Sequence, residues 1–410
     1  MPNAETFRLS NGLRILYSHQ PGTPVTHCAL MIKAGTRDEE KGQEGLAHFI
    51  EHGLFKGTEK RKSFHILNRL EVVGGELNAY TTKEETCVHA SVMNNHSERA
   101  IELIADIIFN SVFPEKEMEK EKEVIVDEIR SYQDTPYEQI FDDFEGLLFK
   151  GHSLGHPILG TEKAIRNFKQ KDLLVYIKRC YHPSRMVFSV SGSMGMEEAI
   201  RLGEKYFNAK TPAKKAPLRS AYKKYKPVII TQPRGVSQVH HITGLPAYSM
   251  NDKKRFILIL MNNLLGGPGM NSKLNLNIRE KHGFTYTIES GYHSYSDTGI
   301  FHVYFATDQK NYSKTKKLVE SELTRLYETP LTKKIFTQYK EQLLGQITMA
   351  QENRLSVLLS ISKGLLNFDR VVPLEEVIHR INVVSANDIQ EVAAELFSTD
   401  KRSTLVYEPK

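Results

Sequence analysis

The sequence predicts an α+β protein of two homologous domains, each a mainly antiparallel sheet packed against helices. In both halves of the 410-residue chain, strand patterns and helical patterns follow one another in the same order. Between the halves lies a segment rich in proline and lysine, at residues 210–227. We therefore predict domains at residues 1–209 and 228–410, joined by this basic linker.

The elements of the first half are predicted from hydrophobic periodicity. Residues 6–18 alternate around Asn11-Gly12, a pair typical of a hairpin turn. Further strands are predicted at 25–33, within 76–92 and at 186–191. Helices are predicted at 43–57, 64–73, 100–112, 117–130, 139–148 and 171–179.

The second half repeats this order of elements. The predicted strands lie at 236–245, within 284–308 and at 404–407, and the predicted helices at 255–265, 314–328, 333–352 and 386–397. The helix at 43–57 contains His-Phe-Ile-Glu-His, whereas its counterpart has Leu-Met-Asn-Asn-Leu. We interpret this as a duplication in which only the first copy has residues that bind a metal.

The motif His-Phe-Ile-Glu-His occupies residues 48–52. On a helix, His48, Glu51 and His52 share one face, with Cβ atoms roughly 5–6 Å apart. Two imidazoles at this spacing can hold one metal ion with a carboxylate beside it, as in the inverted motif H-x-x-E-H. The rest of the helix is apolar and predicted to be buried, where charge needs a partner or a metal. The alternative is two hydrogen-bonded histidines near a surface glutamate.

A third ligand is predicted on the helix at 117–130. Glu121 and Glu128, seven residues apart, fall within its apolar stripe, which consists of Met118, Val124, Ile125 and Ile129. Unpaired carboxylates avoid buried faces. A metal would satisfy one of the two glutamates, and the other would orient a ligand or the water at the site.

Composition excludes several classes of function. A net charge of +6 is modest for this length and does not indicate nucleic-acid binding. No stretch approaches the ~18–20 apolar residues that span a membrane, and no signal peptide is predicted.

Cys28, Cys87 and Cys180 lack metal-ligand spacing, so we expect buried thiols in a reducing compartment. These features predict a soluble cytoplasmic protein. The linker is expected to be solvated rather than bound to an acidic partner.

Taken together, these motifs resemble the pitrilysin/insulinase family of inverted-motif zinc peptidases. The resemblance covers nearly the whole chain, whose length is similar to that of short bacterial, processing-peptidase-like members. The motifs that carry it are His-Phe-Ile-Glu-His followed by Phe-Lys-Gly-Thr at 55–58, Asn-Ala-Tyr-Thr at 78–81, Glu121 with Glu128, Leu-Gly-His-Pro-Ile-Leu-Gly-Thr at 154–161, and Arg279 with Tyr286.

The resemblance implies a function and a set of site residues. His48, His52 and Glu128 would ligate one zinc ion per chain. Glu51 would be the general base, and Glu121 a supporting carboxylate needed for activity. The implied activity is that of a zinc metalloendopeptidase that cuts short unfolded peptides. A non-catalytic partner or scaffold subunit is the alternative, although such relatives usually have damaged motifs.

Four further residues are implied to contact the substrate. Asn78 and Ala79 would open an edge strand that pairs with the peptide backbone, and Arg279 and Tyr286 would support the scissile carbonyl. Because this pair lies in the half without metal ligands, the resemblance implies a clamshell homodimer. Taken alone, Arg279 is better explained as a surface arginine at a helix end and Tyr286 as a packed strand residue. The zinc site is what favours a functional role for the pair. His89 stands where the family often has tyrosine, and we expect it to be packed or substrate-facing rather than a metal ligand.

Overall fold

The computed structural model describes residues 4–208 and 218–410. These form two compact units, neither of which is continuous in sequence. The first unit extends to residue 131 and adds 156–219 and 350–374. The second unit contains 132–155, 220–349 and 375–410. Residues 210–217 of the predicted linker lie outside the described residues.

The helices, in chain order, are α1 (Leu46–Gly53), α2 (Ser63–Glu71), α3 (Ser97–Phe109), α4 (Glu115–Gln133), α5 (Pro136–Leu148), α6 (Glu162–Asn167), α7 (Gln170–Cys180), α8 (Met196–Phe207), α9 (Arg255–Gly266), α10 (Tyr312–Glu328), α11 (Lys333–Met349), α12 (Arg354–Phe368), α13 (Leu374–Asn382) and α14 (Ala386–Leu396). The strands are β1 (Ala4–Arg8), β2 (Arg14–His19), β3 (Val25–Ile32), β4 (Glu76–Thr81), β5 (Thr86–Met93), β6 (Met186–Gly192), β7 (Ile229–Arg234), β8 (Val239–Ala247), β9 (Thr285–Ser294), β10 (Gly299–Thr307) and β11 (Ser403–Pro409).

In the described residues each unit contains one sheet, and the two sheets share a topology. The first has the order β1-β2-β6-β3-β5-β4, and the second has β7-β11-β8-β10-β9. Neighbouring strands are antiparallel except for one pair in each sheet, β2 with β6 and β7 with β11. If β1 is set aside, the two orders correspond strand for strand. The predicted fold class, two homologous domains with mainly antiparallel sheets and packed helices, is confirmed.

The helices α5 and α12 explain why the units are discontinuous. Helix α12 comes from the second half of the chain but covers the sheet of the first unit. Its buried residues Leu358, Ile361 and Leu365 pack in one cluster with Leu16 and Met31. Helix α5 comes from the first half and packs on the sheet of the second unit through Ile140, Phe144 and Leu148. In sequence, the predicted linker at 210–227 lies between the strands of the first sheet and those of the second. The domain boundaries based on it stay a prediction.

Several elements differ from the sequence-based expectations. Helix α1 is shorter than predicted, because Gly45 has φ +93° and ends the regular helix on its N-terminal side. Helices α6, α8, α12 and α13 and strand β7 were not predicted. Val124, expected in the apolar stripe of α4, is 51% exposed, and Val126 is buried in its place.

The three cysteines are buried and unpaired, as the composition predicted. Burial raises the pKa of the Cys180 thiol to about 11. Arg219, expected in a solvated linker, instead donates to both carboxylate oxygens of Asp38, at 3.0 and 2.7 Å. In the part of the chain that the structure describes, no helix is both long and apolar enough to cross a membrane.

Candidate metal centre

Helix α1 carries the first part of the site, and its apolar surface fixes its orientation. Leu46, Ala47, Phe49 and Ile50 are fully buried, so the helix cannot rotate without exposing them. This fixes the remaining face, which contains His48, Glu51 and His52, toward α4. His48 is buried, and the other two are half-buried.

Helix α4 supplies two carboxylates to the same place. Glu128 Oε2 lies 3.9 Å from His48 Nε2 and 3.7 Å from His52 Nε2. Glu121 Oε1 lies 2.8 Å from Nδ1 of His52. The structure thus brings together the two histidines and both glutamates predicted from the sequence. Their roles stay predictions.

The arrangement fits a zinc ion. Potential ligand atoms of His48, His52 and Glu128 all lie within 4.8 Å of one another. Tetrahedral zinc with ligands at roughly 2.0–2.1 Å requires donor atoms about 3.3 Å apart, so small side-chain movements suffice. Glu121 accepts a hydrogen bond from Nδ1–H of His52, and Nε2 is thereby left to bind a metal. Two imidazoles and one carboxylate are also the donor types that zinc prefers.

The pKa values of the two histidines differ in direction. Burial, together with the neighbouring His52, lowers the pKa of His48 to about 3, so its imidazole is neutral and able to bind a metal. Burial also lowers the pKa of His52, but the hydrogen bond and charge of Glu121, with Glu128 and Glu51, raise it above its ordinary value overall. Burial raises the pKa of Glu128.

Glu51 lies on the same helical face as the histidines. Among the described residues its buried Oε2 has no hydrogen-bond partner. Burial raises the pKa of this carboxyl, and Thr81 and His52 oppose that effect. A carboxylate oxygen without a hydrogen-bond partner among the described residues is available to act as a general base toward a water at the site.

Lys56 is a member of the site that sequence analysis missed. Its Nζ lies 2.6 Å from Glu121 Oε2, so this buried carboxylate bridges Lys56 and His52. Burial raises the pKa of Glu121, but its hydrogen bonds to His52 and Lys56 lower it overall. The sequence contained the signal, since Lys56 follows His52 by four residues and stands in the Phe-Lys-Gly-Thr run.

Comparison with known proteins identifies the family. Residues 14–162 match insulinase (peptidase family M16), and residues 167–343 match the peptidase M16 inactive domain. The chain is 30% identical to an uncharacterized zinc protease of Bacillus subtilis over 98% of its own length and 97% of that protein. The chain belongs to the M16 peptidase family. The resemblance predicted from the motifs is thereby confirmed.

Two other proteins match the M16 chain over most of their own length. A probable mitochondrial-processing peptidase subunit beta of Schizosaccharomyces pombe is 29% identical over 97% of this chain and 89% of that protein. A crystal structure of a protease from Helicobacter pylori superimposes with a TM-score of 0.93 at 21% identity, covering all of both chains. At that identity the match shows the fold alone.

Asn78 and Ala79 of this M16 chain lie on β4, which forms an edge of the first sheet. Strand β4 pairs with β5 on one side only, and Ala79 lies opposite Val88 in that pairing. The amide of Ala79 donates to Oδ1 of Asn78 at 2.9 Å. His89 is half-buried on β5 opposite Asn78, and the potential ligand group among the described residues does not include it.

Arg279 and Tyr286 lie together in the second unit, apart in sequence from the His/Glu group. The Arg279 guanidinium sits over the Tyr286 ring, 5.2 Å from its centre. Tyr286 is 80% exposed, which excludes the alternative of a packed strand residue. An exposed tyrosine held by a cation–π contact has its hydroxyl available to a ligand.

Proposed function

We propose that this M16 chain is a zinc-dependent endopeptidase that hydrolyses short unfolded peptides. The observation that carries the proposal is the grouping of His48, His52 and Glu128 with Glu51 on the same helical face. A purely structural cluster would not require three metal-binding side chains beside the half-buried Glu51, whose Oε2 has no hydrogen-bond partner among the described residues. The names of the relatives as zinc proteases support the same conclusion.

His48, His52 and Glu128 would hold the zinc ion. When bound, zinc acts as a Lewis acid toward the peptide carbonyl and lowers the pKa of water toward ~7. Glu51 takes the proton of the attacking water and passes it to the leaving amine. Glu121 keeps Nδ1 of His52 protonated and its ring fixed through the bond at 2.8 Å.

The open edge of β4 would bind the substrate backbone. An extended peptide added to an edge strand gains main-chain hydrogen bonds that depend little on its sequence. Asn78 and Ala79 lie on that edge, and Thr81 of the same strand borders Glu51. This mode requires an extended chain, so it favours unfolded peptides over folded proteins and gives broad sequence specificity.

A homodimer would complete the site. Arg279 and Tyr286 belong to the half without metal ligands, and we propose that a second copy presents them to the scissile carbonyl. A hydrogen-bond donor at a developing oxyanion contributes ~3–4 kcal/mol in other hydrolases. The chain contains both sets of residues, which favours two identical subunits over a pair of active and inactive chains. A cytoplasmic location stays a prediction.

A non-catalytic partner subunit is the second candidate. The match of residues 167–343 to the M16 inactive domain is the observation that favours it. The complete set His48, Glu51, His52 and Glu128 in the first half argues against it. A purified, zinc-loaded chain that binds peptides but cuts none of a varied set would replace our proposal by this one.

Cleavage of a quenched, unstructured peptide tests the proposal. Activity of the purified chain should vanish on zinc removal and return with added zinc. Glu51→Gln should retain zinc and fold but lose at least about a hundredfold in rate, because it cannot accept the water proton. Glu71→Gln, at an exposed position of α2, is the matched control and should cleave normally. Near-normal turnover by Glu51→Gln would refute the assigned base.

A mixing experiment tests the dimer. Chains with Glu51→Gln and chains with Arg279→Ala should each be nearly inactive alone, but hybrid dimers contain one site with both intact groups. Mixing should therefore restore part of the activity. If subunit exchange is demonstrated by labelled chains and no activity returns, action between subunits is excluded.

A further inference from the structure

The carboxylate of Glu39 is bonded to the N-terminus of the metal helix α1. Its two oxygens accept hydrogen bonds from the amides of Gly45 at 3.1 Å and Ala47 at 2.8 Å. Glu39 is buried, and burial raises the pKa of its carboxyl well above the ordinary value, although both amides oppose this effect. A buried carboxylate is costly unless it is hydrogen-bonded, and the two amides of α1 supply such bonds to Glu39.

Glu39 replaces a cap that α1 cannot supply itself. The first amides of a helix have no partners within the helix, and the residue before it usually accepts from one of them with its side chain. That residue is Gly45, which has no side chain and has φ +93°. A Cβ there would lie 2.6 Å from the carbonyl oxygen of Leu159. The acceptor therefore comes from Glu39, six residues earlier.

The backbone around Gly160 closes on the same helix end. A Cβ on Gly160 would lie 2.1 Å from the carbonyl oxygen of Glu44 and 2.6 Å from the Cα of Gly45. Buried Lys83 acts electrostatically on Glu39 and donates a hydrogen bond to the carbonyl oxygen of His156. Residues 156–160 belong to the Leu-Gly-His-Pro-Ile-Leu-Gly-Thr motif, to which the proposed chemistry assigns no role.

These contacts hold the residue that is bonded directly to a proposed metal ligand. Ala47, whose amide Glu39 binds, directly precedes His48. A shift of the first turn of α1 would move His48 relative to Glu128 on α4, whose Oε2 lies 3.9 Å from Nε2 of His48. Metal ligands need placement within a few tenths of an ångström.

We propose that Glu39 is a positioning residue for the metal site, which holds the first turn of α1 so that His48 and Glu128 can share one ion. The inference rests on the proposed zinc site but not on peptide cleavage. It predicts that replacing Glu39 lowers zinc affinity in a protein that still folds, beyond any loss of stability.

The test is Glu39→Gln. A glutamine keeps one acceptor and turns an N–H₂ group toward the second amide, so one of the two bonds is lost without loss of volume. We expect the zinc dissociation constant, measured by competition with a chromophoric chelator, to rise about 10- to 100-fold, as for supporting groups of other metal sites. Hydrogen exchange should accelerate in the metal-free protein at Gly45 or Ala47, whichever amide loses its acceptor.

Asp388→Asn is the matched control. Its carboxylate accepts from the amide of Ser385 at 2.7 Å and caps α14, which carries none of the proposed ligands. It should lose stability while its zinc affinity stays within twofold of the wild type. If Glu39→Gln does not fold, Glu39→Asp, which keeps the charge but shortens the reach, supplies the same comparison.

The outcomes separate this inference from the proposed function. A Glu39 variant that is folded and binds zinc as tightly as the wild type overturns the positioning role and leaves the peptidase proposal intact. A wild type that binds zinc without cleaving peptides overturns the peptidase proposal, and the affinity comparison still decides the role of Glu39.

Discussion

Replacing Glu121 by glutamine should weaken both the fold of the first unit and its affinity for zinc. The Glu121 carboxylate bridges His52 at 2.8 Å and Lys56 at 2.6 Å, and it is almost fully buried. Glutamine can accept from only one of these donors. A hydrogen bond to a charged group contributes ~1.5–3 kcal/mol, so we expect the metal-free protein to lose about 2–3 kcal/mol of unfolding free energy. Zinc affinity should fall about 10- to 100-fold, because the ring of His52 loses its fixed orientation.

Glu119→Gln is the control on the same helix. Glu119 also accepts from a lysine, Lys122, at 2.7 Å, but its side chain is 70% exposed. Exposed pairs contribute ~0–1 kcal/mol, so this variant should unfold and bind zinc nearly as the wild type does. Denaturant unfolding of the metal-free proteins and chelator competition provide the two measurements. A zinc dissociation constant for Glu121→Gln within twofold of the wild type would show that the bridge does not hold His52 for the metal.

Three further predictions follow from the same region. In the metal-free protein at pH 7, Glu51→Gln should raise the Tm, because burial raises the pKa of Glu51 and disfavours its charged form. This gain in Tm should disappear at pH values below 4.5, the ordinary pKa of glutamate, where the carboxyl is protonated in both the folded and the unfolded protein. A lower Tm for the variant at pH 7 would contradict the prediction. Since the pKa of His52 is raised above 6.5, zinc binding should release a proton and weaken as pH falls through that raised pKa. Calorimetric heats that do not depend on the ionisation enthalpy of the buffer would contradict this. Gly160 has φ +78°, and a Cβ there would lie 2.1 Å from the carbonyl oxygen of Glu44, whereas Gly22 has φ +76° and no neighbour within 4 Å. Gly160→Ala should therefore lose at least about 2 kcal/mol more unfolding free energy than Gly22→Ala. Equal losses in denaturant unfolding would mean that the helix end has room to move.

Local patterns explain what the sequence could predict. His48, Glu51 and His52 share a face because the helical repeat decides it, and Glu121 and Glu128 share another for the same reason. Apolar neighbours on both helices indicated that these polar faces would be buried. In the structure, the carboxylate of Glu128 on α4 lies 3.7–3.9 Å from the two histidine rings on α1. No pattern within either helix predicts that these two helices pack together.

Contacts between distant residues explain what the sequence could not predict. Arg219 was expected to be solvated, but it pairs with Asp38, 181 positions away. Glu39 was not singled out because a capping carboxylate seven residues before the start of a helix has no recognised spacing. The apolar residues of α12 indicate that one face of this helix is buried, but they do not indicate which of the two sheets it packs on.

The exchange of α5 and α12 has a consequence for synthesis of the chain. The sheet that supports the histidines is covered by α12, and the side chain of Arg14 donates to the carbonyl oxygen of Leu365 at 2.9 Å. A ribosome must therefore release nearly the whole chain before the first unit can close, and pairings over such sequence distances form slowly. An N-terminal fragment would leave that sheet face exposed to water. The histidine pair is thus translated early but assembled on a finished scaffold only at the end. Under the proposed peptidase function, the nascent chain would remain inactive while its own unfolded segments are the nearest peptides.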